Sequence, residues 1–573
     1  MRKFRFAPTS GTRNVGRFPV HTSAEIPISP AQIPVLARWA LVAGLISVIC
    51  VVVAVAIPAF HKSSRSGIFS HGCDSFCYSQ MAAAIRDARA SGKPVDYFLQ
   101  DYQTEFLITK FKQSGVLQID WREAIAPHGY HYFAVSGQVG PQYPPGAPWA
   151  LSFFPAIGAI RGLSRASIIL IVLVGLAFAG WCAARRLPLS TLVAALATYT
   201  FLYVFTWVDL TSFSVNATIF PLFAGILLAW FARERARGVV AVFLSFAGGV
   251  GIGMAVEDRV ASVLLVATML LFFLPRRYGL VAAQAAGLAV GGVLPLLTHN
   301  KLVAGGYFLP TYDKSDTDQS LQCIWTNFLF YCHWWFQNSI VQVTMLACAL
   351  AALVVLVRAT SNAPAGHWRH WAWDHAGFIL AAPSAFLLCA AFFLTHVVKE
   401  GYYLTPSMLT VALTTALLFV SLEIEWRTLA PEVSRRAAIS WTVITLAISG
   451  AALTVWLHSN QISDAIYDAP PDQAVQISLP PELQNEHAWL WADDLSGSIR
   501  LYTGHPAFKI YACNPTTRKM VFDWVKARGE PQYVVEDSET MRHIADEARN
   551  TGWKTTLVGY VCDSPCLRMD PAP

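Results

Sequence analysis

The apolar positions of this chain come in long unbroken runs. They show neither the alternation of a half-buried strand nor the single stripe of a soluble helix. A bilayer crossing needs about 20 apolar residues. Runs near that length cover 39–60, 163–184, 189–208, 213–231, 239–256, 260–274, 279–298, 338–357, 376–395, 406–422 and 438–457. The pattern predicts a polytopic α-helical membrane protein with about eleven spans. One further run, 147–160, is too short to cross and predicts a helix lying at the membrane interface. The glycine-rich stretch 248–253 lies inside a span, so it predicts a close-packing helix face and not a phosphate loop.

The polar stretches set the organisation. Residues 1–38 form a basic tail. The span region 39–457 carries a large first loop, 61–162, and a fourth outer loop, 299–337. Residues 458–573 read as a small soluble unit, with short strand-like runs at 489–491, 508–511, 533–535 and 555–558. Helical patterns at 516–528 and 538–550 separate the later runs, which implies an α/β fold.

Composition agrees: 54% of the 573 residues are hydrophobic and only 14% are charged, against about 25% charged in soluble proteins. Mean hydropathy is +0.43. The net charge of +6 is spread along the connections, so it bears on topology and not on nucleic acid. Arg185–Arg186, Arg233/Arg235/Arg237, Arg276–Arg277, Arg358 with Arg369, and Arg427 with Arg435–Arg436 fall in every second connection. Basic connections stay inside. This predicts a multi-pass inner (plasma) membrane protein with a cytoplasmic N-terminus and an extracytoplasmic C-terminal unit. The basic N-terminus has no adjacent apolar stretch and is unlike a signal peptide.

Of the eleven cysteines, Cys50, Cys182, Cys348 and Cys389 fall in spans and read as packing residues. The other seven lie in outer segments, where disulfides are permitted. Cys562 and Cys566 have the spacing to close a small loop.

The acids gather on the predicted outer side. After the first span, residues 72–78 read Gly-Cys-Asp-Ser-Phe-Cys-Tyr, and Asp74 and Tyr78 are four apart, on one helix face. Asp209 ends the third span, and Glu257, Asp258 and Arg259 occupy a turn with almost no loop. Lys399 and Tyr402 precede a late span that begins near Pro406. Acids at a membrane edge point to chemistry. The bland readings are an N-cap for Asp74, interfacial anchoring for Tyr78, solvation for Asp209 and snorkelling for Lys399. Arg122, His128 and His131 of the first loop are weaker choices, and lone histidines there read as ordinary solvated residues.

With residues 142–146, Gln-Tyr-Pro-Pro-Gly, leading a short apolar segment, this layout resembles the GT-C membrane glycosyltransferases. The closest pattern is the branch of protein mannosyltransferases and the aminoarabinose transferase of lipid A. The resemblance covers roughly 39–460. It implies transfer of a sugar from a polyprenyl-phosphate donor to a glycolipid, polysaccharide or protein acceptor at the extracytoplasmic face, with inversion. It assigns the first-loop acid, Asp74, as general base and places Asp209 as the second-loop acid. Tyr143 stands where many relatives have a lysine before the two prolines, which removes the cation expected there. Tyr78, Glu257, Asp258, Arg259, Lys399 and Tyr402 are the remaining candidates for substrate contacts.

No resident cofactor follows from these residues. Two acids from separate loops offer oxygen ligands to a divalent cation, Mg²⁺ or Mn²⁺, and no His/Cys spacing marks zinc. Two other classes fit the spans. A transporter or lipid-linked-sugar flippase binds near the midplane, whereas these acids lie at one edge. A non-catalytic assembly protein would use the C-terminal unit to recruit partners.

Overall fold

A computed structural model describes residues 73–115, 121–155, 158–185, 187–207, 213–258, 262–275, 277–312, 319–337, 366–397, 401–429, 479–484 and 487–571. It also describes positions 49, 52, 56 and 59 of the first span. Among these residues, six helices are long and apolar enough to cross a membrane. The molecule is an integral membrane protein. Runs 338–357 and 438–457 lie outside the described residues, as does most of 39–60.

The span layer contains α4 (Ala159–Ala184), α5 (Pro188–Trp207), α6 (Phe213–Glu234) and α7 (Gly238–Asp258). It continues with α8 (Val263–Leu270), then α9 (Tyr278–Leu288), which passes through a π turn into α10 (Leu294–Val303). Two later spans are α12 (Ala376–Thr395) and α13 (Thr405–Leu429). Between them and α10 lies α11 (Ile324–Gln337). Val52 and Ala59 of the first span are fully buried against this bundle.

The glycines of 248–253 set the spacing inside the bundle. A Cβ on Gly248 would stand 2.9 Å from the Gly225 carbonyl oxygen of α6, and one on Gly251 would stand 2.9 Å from that of Pro221. On another face, a Cβ on Gly253 would stand 2.9 Å from the backbone at Gly291 and Gly292. Helix α7 therefore approaches two neighbours at backbone distance, as small-residue faces permit. The close-packing expectation holds.

Within run 260–274 the described residues form α8 and a 3₁₀ turn, Leu271–Phe273. Leu274 then turns extended (ψ 153) ahead of Pro275, as a pre-proline residue does. Run 147–160 is not one helix. It contains α3 (Gly146–Leu151), and Gly158, in the left-handed region (φ 77), stands at the start of α4. Trp149 and Phe153 are exposed and meet edge to face at 4.7 Å, which suits an interfacial position.

Above one end of the spans lies a second layer. The first loop supplies α1 (Cys73–Ser91), α2 (Tyr102–Ser114) and the hairpin β1 (Tyr130–Phe133) with β2 (Gln138–Pro141). Asp101 caps α2 by accepting from the Thr104 backbone N–H at 2.9 Å, and Gly115 (φ 67) ends it. Helix α1 buries Phe76, Cys77, Met81, Ala82 and Ile85, one stripe at helical spacing.

The C-terminal residues form one five-stranded sheet. Its strands are β3 (Trp489–Trp491), β4 (Ala507–Phe508), β5 (Gln532–Val535), β6 (Trp553–Val561) and β7 (Ser564–Pro571), in spatial order β4-β3-β5-β7-β6. β3 runs parallel to β4 and β5, and β7 runs antiparallel to β5 and β6. Helices α14 (Ser496–Thr503), α15 (Pro515–Lys526) and α16 (Glu539–Asn550) connect them. The α/β expectation is met. Strand β7 is additional to the strand-like runs read from the sequence, and part of the segment read there as a small Cys562–Cys566 loop is its start. Cys562 sits at the hairpin turn (φ 54), and both it and Cys566 carry free thiols.

This lobe shares a core with the first loop. Phe111 stacks on Trp121 at 5.1 Å and meets Trp524 edge-on at 5.1 Å, while Phe106 meets Trp489 at 5.7 Å. A Cβ on Gly497 would stand 2.6 Å from the Phe76 Cβ, so α14 lies directly on α1. The two segments, distant in sequence, cover the same end of the bundle.

Candidate active site

Helix α1 packs on α3, and α3 packs on the ends of α4, α6 and α7. That stack brings the first loop to the end of the span that carries Glu257. Tyr78 is 2% exposed, and its ring stacks on Tyr143 with centroids 4.9 Å apart and planes at 29°. Tyr143 in turn meets Tyr312 edge to face at 5.7 Å. The adjoining Thr311 hydroxyl donates to the Gln142 carbonyl at 2.8 Å, which fastens the start of the fourth outer loop to the Tyr-Pro-Pro-Gly segment.

Asp74 lies in the first turn of α1, one turn before Tyr78 on the same helix face. Its side chain lies outside the described residues, as do those of Asp258 and Tyr402. Asp209, Arg259 and Lys399 lie wholly outside them. The structure thus joins Tyr78 to Tyr143 and sets Asp74 a helical turn away.

Glu257 is 3% exposed at the end of α7. Its charge is felt by Tyr97 of the first loop. Burial, reinforced by that carboxylate, pushes the Tyr97 phenol up to about 12. Tyr97 also packs edge-on against His299 at 5.5 Å. Tyr130 is fully buried, and burial together with Cys77 and Tyr97 raises its phenol as well. Tyr97, Tyr130, His299 and Tyr312 therefore join the site although no sequence motif marked them. They come from four segments with no shared spacing.

A small hollow, about the size of one water molecule, lies between α8, α12 and the start of α13, lined by Ser262, Leu265, Cys389, Phe393, Tyr403 and Pro406. Ser262 follows Arg259 closely in sequence, and Tyr403 adjoins Tyr402.

A bundle of apolar helices is capped at one end by a first loop that presents buried tyrosines, and the chain has a GT-C-like fold. The crystal structure of ArnT from Cupriavidus metallidurans bound to undecaprenyl phosphate matches it with a TM-score of 0.50 at 13% identity, covering 91% of this chain and 97% of that one. No family model matches the chain. No curated protein matches it in sequence.

Proposed function

We propose that this protein is a membrane glycosyltransferase that takes a sugar from a polyprenyl-phosphate donor and passes it to an extracytoplasmic acceptor. The observation that carries the reading is the likeness over 91% of the chain to a structure that holds undecaprenyl phosphate. The convergence of Tyr78, Tyr143, Tyr97 and Glu257 at one end of the bundle supports it.

In this reading the donor enters sideways from the bilayer, with its phosphate at the membrane edge. Asp74 takes the proton of the acceptor hydroxyl. The freed oxygen attacks the anomeric carbon on the face opposite the phosphate, the bond from that carbon to the phosphate oxygen breaks, and the configuration inverts. The electron pair leaves on the lipid phosphate, whose growing charge Arg259 and Lys399 balance. The stacked Tyr78–Tyr143 pair fixes α1 against the Tyr-Pro-Pro-Gly segment, and so fixes the turn that bears Asp74. Asp209 orients the acceptor, and Glu257, Asp258 and Tyr402 contact the sugar. Mg²⁺ or Mn²⁺ between acids of separate loops is the metal-dependent variant of this scheme, and activity that survives chelation removes it.

A positioned base contributes about 10²–10⁴-fold. Asp74→Asn is expected to reduce transfer by that factor at unchanged membrane abundance. Reconstituted vesicles with a labelled lipid-linked sugar provide the test. Label moving from lipid to acceptor supports the transferase. Label crossing the bilayer still attached to its lipid means a flippase.

A further inference from the structure

We propose that His128, Asp493 and Asp494 form a divalent-metal site of the Zn²⁺ type, which fastens the C-terminal lobe to the first loop. The three side chains come from opposite sides of that contact. Their donor atoms all lie within 4.8 Å of one another. The His128 Nδ1 stands 4.0 Å from an Asp493 carboxylate oxygen. That nitrogen is buried and makes no hydrogen bond, an arrangement that leaves a polar atom unsatisfied unless something binds it.

The surrounding residues hold the donors in place, as the outer shell of a metal site does. The His128 backbone N–H donates to the Ser496 hydroxyl at 3.0 Å, and that hydroxyl donates to the Asp493 carbonyl at 2.7 Å. Asp537 accepts from the backbone N–H groups of Asp493 (3.0 Å) and Leu495 (2.7 Å), which fixes the turn carrying both acids. The Asp493 carboxylate is hydrogen-bonded by the Ser538 and Tyr511 side chains.

The charge balance favours a cation. Lys509 faces the cluster, but its Nζ lies 3.4 Å from Glu123, which offsets its charge. Zinc takes the neutral imidazole and the ionised carboxylate as ligands, and His128 offers a ring nitrogen while each acid offers one oxygen. Two adjacent carboxylates and a neutral imidazole make a nitrogen–oxygen donor set. Such a set suits Zn²⁺, with water in the fourth position, over the all-oxygen preference of Ca²⁺ and Mg²⁺. Donors at a tetrahedral zinc sit about 3.4 Å apart, so the cluster closes by about an ångström on binding. Asp494, which is exposed, has the freedom to do so.

The test uses full-length protein without a histidine tag, in detergent, stripped with a chelator and titrated with Zn²⁺ under metal analysis. One zinc per chain is expected, with a rise in the thermal midpoint. His128→Ala loses both. Asp494→Asn, a surface change that leaves the fold intact, weakens binding by at least about tenfold, a loss of the size seen even for outer-shell partners. A chain that takes up no stoichiometric zinc overturns the proposal. Uptake of equal affinity in the wild type and in Asp494→Asn places the zinc elsewhere and overturns it equally.

Discussion

Tyr78 and Tyr143 stack with their ring centroids 4.9 Å apart, joining the first turns of α1 to the Tyr-Pro-Pro-Gly segment. A stacked aromatic pair contributes about 0.5–1.5 kcal/mol beyond its buried area, which corresponds to roughly 2–10-fold if the pair serves to place Asp74. Tyr143→Ala is expected to lower transfer by about that factor. Tyr143→Phe, which keeps the ring, stays near the wild-type rate. A steady-state assay of both variants checks this, and equal losses would mean that the hydroxyl matters and the stack does not.

The backbone contacts of α7 make a sharper structural prediction. A side chain at Gly251 meets the Pro221 carbonyl at 2.9 Å, and overpacking costs about 1–3 kcal/mol. Gly251→Val is expected to lower the thermal midpoint and the yield of monodisperse protein. Gly180→Ala is the control. A Cβ there meets nothing within 4 Å, so the substitution is neutral or stabilises by up to about 1 kcal/mol.

The C-terminal lobe is pinned to the first loop by the ion pair of Arg500 with Asp101, whose side chains are 10% and 19% exposed. Burial lowers the Arg500 guanidinium to about 9. Removing one partner of a buried pair costs about 3–5 kcal/mol because the other charge is stranded. Asp101→Asn, which keeps the capping oxygen of α2, is expected to lower the thermal midpoint by an amount on that scale. Adding Arg500→Met should recover part of the loss. A double variant no better than the single would show that the cap, and not the charge, was at stake.

Glu530 gives the same contact a pH dependence. Burial works to raise its carboxyl, but hydrogen bonds from Arg528, Tyr102 (2.5 Å) and Trp489 (2.6 Å) outweigh it, and the folded value falls below 4.5. A lowered folded value means that the stabilisation is complete above about 4.5 and is lost as pH falls through the folded value. At pH 7, Glu530→Gln is expected to cost about 1.5–3 kcal/mol, the range for hydrogen bonds to a charged group. Thermal midpoints of the two proteins should converge as pH drops below 4.5. A constant gap across that range would remove the carboxylate as the cause.

Much of this fold was legible from local pattern. The apolar runs that became α4, α6, α7 and α12 announce themselves by length alone. The glycines of α7 could be read as a packing face because a phosphate loop does not lie inside a span. The docking of the C-terminal lobe was not legible. Phe76 meeting Gly497, or His128 facing Asp493, depends on contacts between segments hundreds of residues apart, and neither carries a local signature. For the same reason His128 read as a solvated loop histidine. Of the site, Tyr78 and Tyr143 stood out through their motifs. Tyr97, Tyr130 and His299 did not, because their role comes from the tertiary contact with Glu257, Cys77 and each other.

The central claim is sugar transfer from a polyprenyl phosphate with Asp74 as the base. The most direct measurement is lipid and glycan profiling of a deletion strain complemented with wild type or with Asp74→Asn at equal membrane levels. The account predicts that the deletion accumulates a polyprenyl-phosphate sugar and loses one envelope sugar, that wild type reverses both changes, and that Asp74→Asn reverses neither. Restoration of the missing sugar by Asp74→Asn, or a deletion that accumulates no lipid-linked sugar, would contradict it.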